Sequence, residues 1–113
     1  MSENTARIRA LNDAFRKTCN PPGAGKYYIT RGVAALGGER TLEIIKAVAN
    51  FDDFTAGNDP YGEHDFGSME LAGETIFWKI DYHATDDPGL GSEDPSDSAT
   101  TERVLTIMLS EEY

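Results

Sequence analysis

Two histidines, His64 and His83, and the carboxylates near them are the residues of this chain best suited to acid–base or metal chemistry. The run from His64 to Leu71, then Ala72-Gly73, then Glu74 to Tyr82 reads as a β-hairpin. With Ala72-Gly73 as a two-residue turn, Leu71 pairs with Glu74, Gly67 with Trp78, Phe66 with Lys79 and His64 with Asp81. Cross-strand partners have Cβ atoms about 4.5–5.5 Å apart, so this register brings His64 against Asp81. His83 then lies on the same face, two residues on. A carboxylate beside an imidazole fixes its tautomer, so His64 and Asp81 are the candidate catalytic pair, a general base and its orienting partner. Two histidines and one carboxylate can also hold a divalent metal with open positions. Asp59, Glu63 and Asp65 are close enough in sequence to contribute. A structural His–Asp pair is the third reading of the same residues. A bulge at Gly67 would move the side chains to the other face. No nucleophile stands out: Cys19 sits in a Pro/Gly turn and reads as an ordinary free thiol. The glycines match neither the dinucleotide nor the phosphate-loop fingerprint.

The elements that must position these residues follow from spacing. From about Asn4 to Lys17, Ile8, Leu11 and Phe15 recur at helical intervals among polar residues. The run Cys19 to Gly25, with two prolines and two glycines, breaks that helix. Lys26 to Thr30 is aromatic and β-branched, a strand. Gly37-Gly38 precede a second helix, Glu39 to Asn50, with Leu42, Ile45, Val48 and Ala49 on one face. Phe51 to Glu63 is polar and turn-rich. In the second hairpin arm Ile76, Trp78, Ile80 and Tyr82 alternate with Phe77, Lys79, Asp81 and His83, the period of a strand. Thr85 to Ser98 is an acidic loop; its spacing departs from an EF-hand, so a solvated loop is favoured over a calcium site. Arg103 to Leu109 fits helix or strand, and its β-branched residues favour the strand. The expectation is an α+β fold. It has an antiparallel sheet of about four strands with the hairpin at its centre, and two helices packed on one face. The expected core is Ile8, Leu11, Phe15, Leu42, Ile45, Val48, Ile76, Trp78, Ile80, Leu105 and Ile107.

The chain has 113 residues, so a single domain over 1–113 is expected. No apolar run approaches the roughly 18 residues a membrane span needs, and the first residues lack the apolar segment of a signal peptide. One cysteine cannot form an internal disulfide, which makes the cytoplasm the expected location. Net charge is −10, and it is unevenly spread. Residues 1–46 hold eight bases and four acids, whereas 47–113 hold sixteen acids against Lys79 and Arg103. Such a field repels nucleic acid and suits a basic protein partner. A plain solubility charge is the alternative.

The strings RIRALNDAFRKT, YYITRGVAALG, VANFDDFTAGNDPYGEHDFG, FWKIDYH and RVLTIMLSEEY resemble the bacterial family called domain of unknown function 3768, over about Arg7 to Tyr113. His83 is the position that departs from it, which leaves His64 and Asp81 as the better pair. The resemblance implies no activity; its context is that of plasmids and other mobile elements, near anti-restriction genes. Charge and resemblance together lead to one expectation: a binding or inhibitor module of anti-restriction or anti-CRISPR type. It would dock on a basic surface of a nucleic-acid-handling protein through Asp59, Tyr61, Glu63, Asp65, Asp86 and Asp87. The alternative is a small metal-binding protein or hydrolase using His64 and Asp81. No cofactor, direct nucleic-acid binding or membrane partner is expected.

Overall fold

A computed structural model describes residues 3–18, 25–71, 73–87 and 89–113. Cys19 and the Pro/Gly run through residue 24, Ala72 of the hairpin turn, and Pro88 lie outside them. The elements are helix α1 (Glu3–Lys17), strand β1 (Gly25–Ile29), a one-turn helix α2 (Arg31–Ala34), helix α3 (Gly38–Ala49), and strands β2 (Phe66–Leu71), β3 (Glu74–Ala84) and β4 (Thr101–Leu109). A 3-10 turn, Ser110–Glu112, follows β4.

The fold is α+β, and the four strands lie in the order β1-β4-β3-β2. The sheet is mixed rather than purely antiparallel. β3 runs antiparallel to both β2 and β4, but β1 runs parallel to β4. The hairpin therefore spans the centre and one edge, with β2 outermost, and β4 sits inside the sheet. Strand alternation states which side chains share a face but not which strand is the neighbour, so this order was not legible locally.

The hairpin register is the expected one: Leu71 faces Glu74, Gly67 faces Trp78 and Phe66 faces Lys79. Gly73 carries φ +79°, the left-handed conformation a tight turn needs. No bulge forms at Gly67. A Cβ there would stand 2.3 Å from the Trp78 Nε1, so the glycine lets the indole lie flat on β2.

Ile76, Trp78 and Ile80 of β3 and Leu105, Ile107 and Leu109 of β4 form one face of the sheet. Phe15 of α1, Val33 of α2, Ile44 and Val48 of α3, and Phe51 close over it. All three helices thus cover the same side. The α3 face is rotated from expectation. Ile44 is fully buried, Ile45 only partly, and Leu42 is 52% exposed. Tertiary bonds accompany that rotation: the Thr41 hydroxyl reaches the Val33 carbonyl (3.2 Å) as well as the Gly37 carbonyl at the start of its own helix (2.8 Å), and Arg16 donates to the Val48 and Ala49 carbonyls at the helix end. Leu11, also expected in the core, is only half-buried. α2 was not anticipated; Thr30 caps it, its hydroxyl accepting from Val33 N–H.

Candidate functional site

α1 places Asn12, Asp13 and Arg16 within little more than one turn, facing the sheet and the segment before β2. Asn12 stands four residues after Ile8 and is fully buried, so it occupies a core position of the helix. Its amide donates to the Tyr82 hydroxyl (2.8 Å) and to the Glu63 carbonyl (3.0 Å). Its Oδ1 accepts from Arg103 Nε at 2.6 Å. The Tyr82 hydroxyl in turn donates to Glu63 Oε1 (2.8 Å). A buried amide is stable only when its groups are paired, and here three elements pair them.

Arg16 is 1% exposed. Its Nη1 donates to the carbonyls of Val48, Ala49 and Phe51 at 2.7, 3.1 and 2.9 Å. These close the C-terminal end of α3, where the helix dipole is negative and a cation is favoured. Nη2 donates to Asp13 Oδ1 (3.1 Å), and the guanidinium lies 5.1 Å from the Trp78 ring centre. Arg16 Nε and Trp78 Nε1 are the enclosed side-chain nitrogens without a hydrogen-bond partner among the described residues.

His64 completes this cluster. It carries φ +56°, the left-handed region a histidine seldom occupies, just after Gly62 at φ +70°. That turn lifts the chain out of the strand before β2 begins. The imidazole stacks on Phe54 with centroids 3.7 Å apart and planes 5° from parallel. Its Nδ1–H donates to Asp13 Oδ1 at 2.9 Å, and Nε2 faces Asp59 Oδ2 at 3.6 Å. Asp59 is buried, and its Oδ1 also accepts the His64 backbone N–H at 3.2 Å.

The expected His64–Asp81 pair therefore does not form. β2 starts at Phe66, two residues late, although the Ile80 N–H still bonds the Asp65 carbonyl. Asp81 points to the sheet face opposite the helices and pairs with Lys79 (2.9 Å). His83 is on Asp81's face, away from His64. The carboxylates that bracket His64 are Asp13 and Asp59, and Asp13 was not singled out from the sequence. Its nearest legible sign is next door: polar Asn12 at the i+4 position from Ile8 marks the α1 face that carries a buried polar cluster.

The other expected site residues are dispersed. Glu63 joins the Tyr82 network, and Tyr61 is 78% exposed. Burial, and next the negative charge of Glu63, push the Asp65 carboxyl above the usual carboxylate range. Burial likewise raises the Tyr82 phenol and lowers the Arg103 guanidinium. Among the described residues, no group of three or more histidines, cysteines or carboxylates is arranged to hold a metal ion. Both His64 nitrogens already face carboxylates, so the arrangement clips α1 to the 51–65 segment.

Asp86 and Asp87 lie in the acidic loop at the far end of β3. That loop is braced. Ala84 and Ser92 N–H donate to the carbonyls of Leu90 and Tyr82, and Ser92 and Thr101 share a hydroxyl bond of 2.6 Å. Asp87, Asp94 and Asp97 each accept a backbone N–H two residues on, the geometry of Asx turns. A cleft of about 480 Å³ opens here, with Asp86, Leu90, Glu93 and Asp94 among its walls.

A family model described as "Protein of unknown function (DUF3768)" matches residues 29–112. The chain belongs to this family. No curated protein and no solved structure matches it. The family match takes in the 51–65 segment, the hairpin and the acidic loop, and the family carries no assigned activity. No helix among the described residues is long and apolar enough to cross a membrane.

Proposed function

We propose that this chain is a binding module that docks its acidic loop, residues 85–100, on a cationic surface of a partner protein. One observation carries the reading. Asp86, Asp87, Glu93, Asp94 and Asp97 are all exposed on one braced loop. Among the described residues, none of them is in an ion pair; the pairs are Arg16–Asp13, Lys26–Glu102, Lys79–Asp81 and those of His64. Arg7 reaches the loop but donates to the Ser96 carbonyl at 2.7 Å rather than to a carboxylate. The charge is thus fixed in position before any partner arrives, which lowers the ordering cost of binding. Leu90, 59% exposed, stands in the same cleft as Asp86, Glu93 and Asp94. Apolar wall and carboxylates together suit an arginine or lysine side chain, with its stem on Leu90 and its cation on the acids.

Surfaces that bind nucleic acid are basic because they must neutralise phosphates. A rigid anionic loop competes for such a surface, so the proposed partner class is a nucleic-acid-handling protein. The proposed role is that of an inhibitor of the anti-restriction or anti-CRISPR kind. The His64 cluster serves this reading as scaffold.

The test is affinity capture from bacterial lysate at low and high salt, with mass spectrometry, using the chain and its D86N/D87N/E93Q/D94N variant. Support is a partner held by the chain at low salt, lost at high salt and not held by the variant, since exposed charges are screened beyond about 10 Å at 0.1 M salt. Equal retention by both proteins, or no partner at either salt, overturns it.

A further inference from the structure

Arg103 is a second buried cation, and its surroundings differ from those of Arg16. It is 5% exposed. It lies on the helix-covered face, between Tyr82 of β3 and α1, with its guanidinium 5.4 Å from the Tyr82 ring centre. Nε donates to Asn12 Oδ1 and Nη2 to the Pro95 carbonyl at 2.5 Å, both neutral acceptors. Among the described residues, no carboxylate comes within ion-pair distance of it. Among the described residues Nη1 has no hydrogen-bond partner, yet it is not among the enclosed, unpartnered nitrogens, which are Arg16 Nε and Trp78 Nε1. Nη1 therefore keeps some surface accessible to solvent.

Arg103 lines one such space: a groove of about 270 Å³ between α1 and the chain entering β4. Its other walls are the apolar Leu11, Ala14 and Phe15, and the residues Thr18, Ser98 and Thr101. The negative charge of Glu63 acts on Arg103 only from beyond ion-pair distance, and a buried cation without a direct counter-ion is costly, so a ligand carboxylate in contact with it adds the missing partner. The volume is just below the range of drug-sized ligand sites, about 300 to 1,000 Å³, which limits the occupant to a small molecule.

We propose that this groove binds a small free monocarboxylate with a short alkyl chain, its carboxylate on Arg103 and its chain along Leu11, Ala14 and Phe15. The site is separate from the acidic loop's docking cleft and does not depend on it. Charge complementarity selects the anion, and the apolar walls select the tail.

The probes are sodium octanoate and octanol, followed by backbone NMR of the intact chain. Octanoate is expected to shift the amides of Leu11, Ala14, Thr18 and Ser98 with saturation, and octanol to bind about tenfold or more weakly, since hydrogen bonds to charged groups are worth about 1.5–3 kcal/mol. Arg103→Gln is expected to erase the preference for octanoate over octanol. Because Arg103→Gln also loses charged bonds to Asn12 and Pro95, Ala14→Phe serves as the second variant. Ala14 is exposed, so filling the groove there leaves the fold intact and is expected to abolish binding of both probes. No saturable shift at these amides, equal affinity for the two probes, or binding that survives Ala14→Phe would overturn the assignment.

Discussion

Replacing Arg16 with methionine keeps a side chain of similar length and removes the guanidinium that lies over Trp78 and Phe54. The carbonyls of Val48, Ala49 and Phe51 then lose the donor that closes α3, and Asp13 loses one of its two side-chain partners. Each stranded buried acceptor costs about 1–3 kcal/mol taken alone, but one side chain serves all three, so the losses do not add. Breaking a buried charged cluster by removing one partner costs about 3–5 kcal/mol, and that is the expected loss for Arg16→Met. Against a total stability of about 5–15 kcal/mol this is a large fraction. It corresponds to a fall in Tm of at least about 12 °C, at roughly 4–8 °C per kcal/mol for a domain near this size. The assay is urea unfolding followed by Trp78 fluorescence, with thermal unfolding alongside. Arg16→Lys keeps the charge but not the planar fork, and an intermediate loss is expected. A loss below about 1 kcal/mol with an unchanged m-value would refute the claim that this cation holds the end of α3.

Gly67→Ala places a Cβ 2.3 Å from the Trp78 indole, which is fully buried and has nowhere to move; a loss of about 1–3 kcal/mol in urea unfolding is expected. Tyr82→Phe removes the hydroxyl shared by Asn12 and Glu63, and about 1–2 kcal/mol should be lost by the same assay. Glu112 accepts from the Thr30 hydroxyl and from the N–H groups of Leu109 and Gly32, and these bonds hold its carboxyl below the usual range. Its contribution is complete above the unfolded value of 4.5 and is lost as pH falls through the folded value, so Glu112→Gln should flatten the acid limb of a Tm-against-pH curve.

The elements that a local pattern can specify were legible. The alternation of Ile76, Trp78, Ile80 and Tyr82 and a glycine able to take φ +79° fixed the hairpin and its register. The β-branched residues of Thr101–Leu109 favoured the strand that is observed. What escaped depends on distant partners. The parallel pairing of β1 with β4 leaves no mark on either strand alone. The left-handed turn at His64 exchanged Asp81 for Asp13 and Asp59, because a single residue at positive φ ends the register extrapolated from Ala72-Gly73. In the sequence Arg16 and Arg103 count only as charges, yet each is buried by acceptors at least eight residues away in sequence, apart from Asp13 beside Arg16. Base counts therefore overstated the positive charge that the first part of the chain shows to solvent.

The position of β4 also sets an order of events in folding. It joins β1 on one side and β3 on the other, and its contact with β1 pairs residue 25 with residue 103, 78 positions away. α1, α3 and the β2–β3 hairpin can start from neighbouring residues, within microseconds. The sheet cannot close until Thr101–Leu109 arrives between strands that have no bonds to each other. Such long-range closure is slow, because loop entropy must be overcome before the contacts repay it. Until then β1 and β3 each present an open edge to any passing strand, and a net charge of −10 opposes the approach of a second copy during that interval.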